Sequence, residues 1–315
     1  MALDAAISIG AESAYGVAAS ATRGYEGQSD SWKAKPEFVE SKGFRSGLQT
    51  VRADRRRIVD MGGEGELELD LLDDGARTLL TAAFDTVSST GDAHTFATAG
   101  STVPASFTAQ MVRPKVDGGT VPYKHVGCVV TEWEFEQEVE NPLKFKATFD
   151  FQTVSHNGPP LPIDYPETSV PYDWTRGVVY LTRNGTETPV AVTKWSAKGN
   201  RGLKTDRRFI RGNQLKAQPK RAELPSYEGE LEVEFDTATL PLYESFLAGA
   251  VLGFRVAYDG VTGGSALELR CPAIQFTGES PEASLDDLTR MTLPFAILDP
   301  GTSAAVSVVY TEPGD

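Results

Sequence analysis

Three stretches of the chain alternate carboxylate and apolar residues with a period of two. The first reads Glu64-Gly-Glu-Leu-Glu-Leu-Asp70, the second reads Glu228-Gly-Glu-Leu-Glu-Val-Glu-Phe-Asp236, and the third runs from Glu132 to Glu140. Successive side chains of a strand point to opposite faces, so each stretch predicts a strand with one acidic face and one core face. We name the carboxylate rows comb 1, comb 2 and comb 3. Their members are Glu64, Glu66, Glu68 and Asp70; Glu228, Glu230, Glu232 and Glu234; and Glu132, Glu134, Glu136, Glu138 and Glu140.

Helix patterns follow combs 1 and 2. After comb 1, we expect Asp73 and Asp74 to supply N-terminal carboxylates to a short helix whose apolar stripe ends at Phe84. After comb 2, Pro241 suits the first turn of a second helix, and the apolar stripe of that helix ends at Leu247. Both stripes predict packing against a sheet.

The remaining apolar segments are short and predict strands, and the pair Asn184-Gly185 is a strong signal for a tight hairpin. The predicted strands are Val103 to Val112, Cys128 to Val139, Leu143 to Val154, Val178 to Arg183, Pro189 to Trp195, Phe254 to Tyr258, Leu267 to Phe276 and Met291 to Leu298. The predicted fold is mainly β: two tandem β-sandwich or split-barrel domains, each with one short flanking helix.

The two halves of the chain share an order of parts. The segments 41–48 and 54–57 precede comb 1, and the similar segments 196–203 and 206–208 precede comb 2. Each pair of segments is a glycine-containing basic stretch followed by Asp-Arg-Arg. Recurrence of the whole ordered set predicts an internal duplication. The basic residues concerned are Arg52, Arg55, Arg56 and Arg57 in the first half, and Arg201, Arg207, Arg208 and Arg211 in the second.

A proline-rich segment separates the halves. Prolines recur between Asn157 and Pro171, which disfavours a central strand and favours a stiff, extended linker. We therefore predict five parts. They are an N-terminal arm at residues 1–36 that orders only on assembly, a first domain at 37–157, a linker at 158–172, a second domain at 173–300 and a C-terminal tail at 301–315.

Composition limits the range of functions. The 315 residues are enough for two domains, and the formal net charge of −14 argues against tight binding of nucleic acid, although it allows DNA to pass nearby. No signal peptide or apolar membrane span is evident, so we expect synthesis in the cytoplasm. Cys128 and Cys271 are interpreted as buried small hydrophobic residues, with a disulfide or reactive thiol as the alternative.

Catalytic signals are poor. His94, His125 and His156 lie far apart and are expected at the surface, and no nucleophile motif or phosphate-binding glycine loop accompanies them. We therefore predict no catalytic residue, no metal site and no cofactor. The carboxylates are numerous enough for a hydrolase pair, but their periodic rows disfavour that interpretation.

The combs and the basic segments each have two interpretations. A comb can be the ordinary solvated face of a strand, or part of a specialised acidic wall, since ordinary faces mix acidic, basic and neutral residues. A basic segment can be a solvated loop, or an arm that docks on the acidic residues of a neighbouring subunit. Exposed ion pairs contribute only about 0–1 kcal/mol each, so docking would need many copies or apolar contacts as well.

The order of elements resembles the major tail tube protein of long-tailed, siphovirus-like bacteriophages. The resemblance is carried by Glu12-Ser-Ala-Tyr-Gly16, the basic excursion, comb 1 with its helix, Pro104-Ala-Ser-Phe-Thr-Ala109 and Tyr123-Lys-His-Val-Gly-Cys128. It covers the first half best and extends over most of the second through the duplication. It implies tail-tube-like domains that assemble into stacked rings around an acidic channel, and excursions that contact the next ring.

The resemblance also implies partners and a location. The chain would contact itself within and between rings, and would meet the tape measure, tail terminator and distal tail proteins. Double-stranded DNA would pass without specific binding, with no membrane involved, in a virion tail made in the bacterial host. Two modules per chain favour a trimeric ring with pseudo-six-fold symmetry, and the alternative is a hexamer with the second module outside.

Two other functions remain open from the sequence. One is a virion decoration or adhesin module that binds host surface glycans, which would need clustered exposed aromatic residues, whereas Trp32, Trp174 and Trp195 are scattered. The other is a carboxylate-pair hydrolase. The interpretation of the chain as a structural tube subunit rests on the combs as the acidic wall and on the basic segments as the inter-ring arms.

Overall fold

The chain folds mainly into β-strands, which confirms the predicted fold class. A computed structural model describes residues 4–43, 46–47, 49–100, 103–166, 168–278 and 289–314. Within these residues there are two α-helices, α1 at Ala76–Ala83 and α2 at Leu240–Leu247, and each follows a comb strand as predicted.

The strands are numbered in chain order. In the first half they are β1 (Ala6–Ala11), β2 (Thr22–Tyr25), β3 (Lys33–Ala34), β4 (Glu37–Glu40), β5 (Arg56–Asp60), β6 (Gly63–Asp70), β7 (Thr86–Thr90), β8 (Ala93–Ala97), β9 (Phe107–Pro114), β10 (Thr120–Glu138), β11 (Lys144–Phe151) and β12 (Thr153–Ser155). After β13 (Ile163–Asp164), the second half has β14 (Gly177–Arg183), β15 (Thr186–Val190), β16 (Lys194–Asn200), β17 (Leu203–Lys204), β18 (Lys220–Arg221), β19 (Ser226–Glu234), β20 (Leu252–Asp259), β21 (Ala266–Phe276), β22 (Arg290–Ile297) and β23 (Ser307–Thr311).

The strand pairings of the first half recur in the second. In the first half the neighbours run β2–β1–β9–β10–β11–β6–β3, with β12 also against β10. In the second half they run β15–β14–β20–β21–β22–β19–β16, with β23 also against β21. Comb 1 on β6 and comb 2 on β19 therefore occupy corresponding places, and each is followed by its helix.

Two pairings join the halves into one structure. The long strand β10 pairs with β16, from Glu132 opposite Asn200 to Glu138 opposite Lys194. The hairpin β7–β8 has no counterpart in the second half among the described residues, and β8 pairs with β23. The first of these joints makes β6, β11, β10, β16, β19 and β22 consecutive neighbours in one sheet.

The core lies under the comb strands, as their alternation predicts. Leu67 and Leu69 of β6, and Leu231 and Val233 of β19, are buried, whereas the carboxylates between them face outwards. Aromatic side chains of β10 and β11 fill the space beneath, and each contributes about 1.5–3 kcal/mol through burial. They include Trp133, Phe135, Phe145 and Phe149. The type of hairpin predicted at Asn184-Gly185 is present, with positive φ angles of 52° and 78°.

Both helices pack on this core, with two differences from the expected stripes. Asp73 is not a helix carboxylate: it is buried, and its side chain accepts hydrogen bonds from the backbone N–H groups of Val170, Val261 and Thr262. Leu247 at the end of α2 is exposed, whereas Leu242 and Ser245 are the buried residues of this helix.

The predicted arm, tail and linker are packed into the fold. Residues 6–34 contribute β1, β2 and β3, and Ile9 and Trp32 are buried, so this segment is part of the first module and not a separate arm. The C-terminal strand β23 buries Tyr310 in the same way. In the linker, β13 pairs with β2, and Tyr172 is buried and accepts a backbone hydrogen bond from Leu143.

The cysteines and histidines are mostly interior. Cys128 and Cys271 are buried free thiols, as predicted, in the corresponding strands β10 and β21. The histidines were predicted to lie at the surface. This prediction is correct for His156 but wrong for His94 and His125, which are buried. His125 packs against Trp32 and Phe151 at ring centroid distances of 4.8 and 4.7 Å, and its Nδ1 lies 3.3 Å from the carbonyl oxygen of Ala109.

Burial of His125 predicts loss of stability in mild acid. Desolvation lowers its pKa to about 4, so the folded protein holds it neutral. As the pH falls from about 6.5 to 4, the unfolded chain gains a proton that the folded chain resists, and the free energy of unfolding falls by about 3 kcal/mol. We expect His125→Gln to lack this fall in denaturant titrations at pH 7 and 4.5. The control variant His156→Gln, at an exposed position, should show the same fall in the free energy of unfolding as the wild type. A fall of equal size in both variants would contradict the attribution of this fall to His125.

Candidate functional site

The three combs lie on one face of one sheet. We call the outward side chains of β6, β11, β10, β16, β19 and β22 the charged face. Comb 1 is on β6, comb 3 on β10 and comb 2 on β19, with one further strand between each comb and the next. Glu140 of comb 3 lies beyond β10, in a turn with a φ angle of 71°. The other comb carboxylates project from the sheet as the alternation predicts.

Lysines on the intervening strands separate the combs. Lys146 on β11 lies 2.8 Å from Glu66 of comb 1, and Lys144 lies 3.9 Å from Glu68. On β16, Lys194 pairs with comb 3 and Lys198 with comb 2, as described below. Like charges directly opposite one another destabilise a sheet, so the alternation of acidic and basic strands stabilises the face. Carboxylates still outnumber the basic side chains by more than two to one. The basic residues directly opposite comb carboxylates are Lys144, Lys146, Lys194, Lys198 and Arg290.

Strand β16 forms two ion pairs on the charged face, one to the first half and one within the second half. Lys194 lies 2.8 Å from Glu136 on β10, and Lys198 lies 3.0 Å from Glu228 on β19. Hydrogen bonds to these carboxylates raise the pKa of both lysines, which therefore stay protonated at neutral pH. The pairs are partly exposed, so each contributes little to stability. Their main effect is local: they neutralise part of each comb and leave a net acidic face.

The charged face has an open groove where β10 meets β16, with a volume of about 410 Å³. Its lining is strongly polar and includes Glu66, Glu132, Lys146, Lys198, Asn200 and Glu228. A polar groove of this kind differs from the concave, mostly apolar sites that bind small molecules. No group of three or more His, Cys, Asp or Glu side chains among the described residues is arranged to hold a metal ion.

The first basic segment forms a projecting hairpin. Strands β4 and β5 pair only with each other among the described residues, and we call residues 37–60 the first arm. Arg56 lies over the ring of Phe38 at 4.2 Å and pairs with Glu40 at 3.2 Å. Arg52 pairs with Asp54 within the arm, and Arg55 and Arg57 are exposed. The apolar side chains exposed along the arm are Phe38, Val39, Val51 and Ile58.

The second basic segment forms a loop between β17 and β18. We call residues 203–221 the second arm. Arg207 donates to the carbonyl oxygen of Gln218 at 2.6 Å, and Arg211 donates to that of Leu215 at 2.8 Å, so both hold the loop in shape. Arg208 pairs with Asp60 and with Glu37, which lies 3.1 Å away. The second arm is therefore tied, next to Phe209, to the base of the first arm.

Arg201 is not part of either arm. Its side chain is 2% exposed and pairs at 2.7 Å with Asp85, whose side chain is 3% exposed. Arg201 also donates to the carbonyl oxygens of Ala82 and Val130 at 3.0 Å. A guanidinium that is buried and bound to these groups cannot reach another subunit, so the assignment of Arg201 to an inter-ring arm is wrong. Arg221 pairs with the same carboxylate at 3.0 Å.

Asp73 and Asp85 are the structurally important residues that the sequence patterns missed. Each comes from the first half and binds groups of the second half, across more than a hundred residues of chain. The local sequence contains one usable signal, since Asp73 and Asp85 flank a helix that has no carboxylate inside it. That signal marks a polar boundary but does not identify a distant partner.

A sheet face with a net acidic charge and two basic arms beside it favour a structural protein that contacts other proteins repeatedly. A model of the phage tail tube protein family matches residues 2–297, so the chain belongs to the phage tail tube proteins. The family consists of structural virion tail proteins and not of enzymes. None of the curated proteins matches the chain. No described helix is both long and apolar enough to span a membrane.

Proposed function

We propose that this tail tube protein is the major tube subunit of a long-tailed, siphovirus-like phage, and that it forms stacked rings around a channel for DNA. The observation that carries the proposal is the charged face, because it is one continuous sheet built from both halves of the chain. A net acidic surface repels phosphate and lets a DNA duplex slide without binding. The charged face would therefore line the channel.

The proposed duplication rests on the recurring pairings. Seven strands of each half pair in the same order, and each half has a helix after its comb strand and an arm before it. The strand register also matches between the two halves. In the first half the backbone N–H of Gln28 donates to the carbonyl oxygen of Glu68, and in the second half the backbone N–H of Thr193 donates to the carbonyl oxygen of Glu232, at the corresponding position of comb 2. We infer that the two halves are copies of one tube module.

The joint between the halves suggests how one subunit joins the next. Within the chain, β10 of the first module pairs with β16 of the second. The counterpart of β16 is β3, whose outer edge has no strand partner among the described residues, and Ala34 on it is exposed. The counterpart of β10 is β21. We propose that the end of β21 in one subunit pairs with β3 of its neighbour.

The register identifies the residues that would meet. The backbone N–H of Thr277 donates to the carbonyl oxygen of Pro294 at 2.8 Å, so the β21–β22 register continues to this residue. In this register, Thr277 of the second module corresponds to Glu132 of the first. The backbone N–H of Lys35 donates to the carbonyl oxygen of Gly62 at 2.8 Å, which continues the β3–β6 register by one residue. In this register, Lys35 of the first module corresponds to Asn200 of the second. Since Glu132 and Asn200 are direct cross-strand partners, Thr277 and Lys35 are expected to face each other between subunits. Three chains with two modules each would close a ring of six positions.

A cross-linking experiment tests the joint and the symmetry together. Opposite residues of an antiparallel pair have Cα atoms about 4.5–5.5 Å apart, within the range for a disulfide. We expect the variant T277C/K35C, oxidised after assembly, to give covalent dimers and trimers and no larger species in denaturing gels. A ring of six chains would instead give a ladder up to six.

The matched control is the same pair within one chain. The variant E132C/N200C should close a disulfide inside each chain and give no ladder of cross-linked species. The two side chains are already in contact, since Nδ2 of Asn200 lies 2.7 Å from Oε1 of Glu132. Efficient closure in this control, combined with no cross-link in T277C/K35C assemblies, would contradict the proposed joint. The buried Cys128 and Cys271 are common to both variants.

The proposed partners follow from the proposed place in the tail. They are further copies of the chain, the tape measure protein, and the terminator and distal tail proteins at the two ends. Synthesis would take place in the bacterial host cytoplasm. The alternative as a glycan-binding decoration is not favoured, because Trp32 and Trp195 are buried and Trp174 alone of these three is exposed.

A further inference from the structure

Both arms leave the charged face at the same end. Strand β6 begins at Gly63, directly after the first arm, and β16 ends at Asn200, directly before the second arm. In the sheet, Gly63 and Asn200 lie towards one end of the strands, and Asp70 and Lys194 lie towards the other. We call these the arm end and the far end.

The far end has an apolar groove at the seam between the two modules. Its volume is about 180 Å³, and its walls include Val139 from the first module and Trp174, Val178 and Val192 from the second. Val139, Trp174 and Val178 are exposed, and Val139 lies between two exposed carboxylates, Glu138 at the end of β10 and Glu140 in the turn that follows. The groove therefore combines an apolar floor with an acidic border.

The second arm has complementary chemistry. Phe209 and Ile210 at its tip are exposed, and they are flanked in sequence by Arg207, Arg208 and Arg211. In the first arm, Phe38 lies near the base of the hairpin and Arg56 lies 4.2 Å above its ring, whereas Arg207 lies 5.5 Å from the ring of Phe209.

Stacking of identical rings in one direction brings the arm end of each copy against the far end of the next. Such head-to-tail contacts repeat along an open stack without closing. This inference rests on the proposed stacking of rings. We propose that the far-end groove is the docking site for the second arm of a copy in the next ring. Phe209 and Ile210 enter the groove between Trp174 and Val178, and Arg207 and Arg211 face Glu138 and Glu140, while Arg208 stays paired within its own chain.

Single charges placed on either side of this contact should stop stacking and leave rings intact. We expect V178D and I210D each to raise the protein concentration needed for tube formation at least tenfold, with rings still visible by negative-stain microscopy. The matched control is V87D on β7, because Val87 is 47% exposed and Val178 is 40% exposed. V87D should form tubes as the wild type does. If V178D melts well below V87D, Trp174→Ser in the exposed turn replaces it in the same assay.

A charge exchange tests the pairing itself. We expect E138R/E140R and R207E/R211E each to weaken tube formation, and the combined variant to recover at least part of it, because coupled residues give non-additive effects. Wild-type tube formation by V178D, or no recovery in the combined variant, would overturn the proposed docking. Loss of tubes in F38D but not in I210D would assign the groove to the first arm and would also overturn it. Absence of rings in the wild type would instead contradict the proposed function.

Discussion

Replacing Asp85 by asparagine should lower the free energy of unfolding by about 3–5 kcal/mol, which is the usual effect of removing one partner from a buried ion pair. Domain stabilities are commonly about 5–15 kcal/mol, so the variant is expected to be close to unfolding at 37 °C. The reason lies in the two guanidinium groups, of Arg201 and Arg221, that share this carboxylate at 2.7 and 3.0 Å. Asparagine has nearly the same shape but leaves both of them without a buried counter-charge.

The pKa of Asp85 supports this view of the site. Burial alone would raise it, but Arg201, the amide of Ala99 and Arg221 outweigh burial and hold the pKa below its usual value. A carboxyl whose pKa is lowered on folding stabilises the protein above its unfolded pKa, and this contribution is lost as the pH falls through the folded value. The difference between wild type and D85N should therefore be full at pH 7 and shrink below about pH 4.

The measurement is denaturant unfolding at a protein concentration where light scattering shows monomers, since assembly would otherwise add stability. The matched control is D117N, because Asp117 is highly exposed and pairs with Lys115 at 3.6 Å on a surface turn. D117N should leave the unfolding midpoint almost unchanged. Equal midpoints for D85N and D117N would show that the buried pair does not hold the two halves together.

Local patterns predicted the elements that local physics determines. The combs, both helices and the Asn184-Gly185 hairpin follow from side-chain alternation, an apolar stripe and two residues that accept positive φ. Burial of Cys128 and Cys271 follows in the same way from their place in β-rich segments. In each of these cases the evidence lies within about ten residues of chain.

The misassigned residues depend on contacts that are distant in sequence. Arg201 looks like the other arginines of its basic segment, and only its approach to Asp85, more than a hundred residues away, makes it interior. The strand β1 is short and rich in small residues, but it lies between β2 and β9, where neighbouring strands bury it on both sides. His125 becomes interior because Trp32, from the supposed arm, packs on it.

The charged face could be predicted only in part from the sequence. Each comb was predicted with its correct face, but the union of the three combs depends on the β10–β16 joint, which no local pattern specifies. The lysines that separate the combs were visible in the sequence at Lys144, Lys146, Lys194 and Lys198. Their effect could be assessed only once the strand order was known, because the pairings of β11 with β6 and of β16 with β10 join strands that are not consecutive in the chain.

The largest functional effect is expected from reversing two carboxylates of the charged face. Glu132 and Glu230 are suited to this test because their direct cross-strand neighbours are uncharged. Glu132 lies opposite Thr148 and Asn200, and Glu230 lies opposite Ser196 and Pro294. Lysines at these two positions therefore avoid the directly opposed like charges that Glu134 to Lys would create against Lys146 and Lys198. Folding and tube formation should be preserved.

If the charged face lines the channel, E132K/E230K adds four units of positive charge per chain to the path of the DNA. Each lysine that neutralises a phosphate releases counterions and strengthens binding, and the binding weakens steeply as salt rises. We expect tubes of this variant to retain a short DNA duplex at low salt and to release it at high salt. Particles built with the variant should lose at least tenfold in infectivity at an unchanged particle count, because bound DNA leaves the tube slowly.

The matched control, D92K/D117K, makes the same change in net charge at exposed hairpin positions outside the six strands of the charged face. It separates an effect of position from an effect of total charge. Tubes of the control should bind DNA weakly, and control particles should infect normally. If E132K/E230K and the control behave alike in both assays, the charged face does not line the DNA path. Its carboxylates would then act only within the sheet, through ion pairs such as those of Lys146, Lys194 and Lys198.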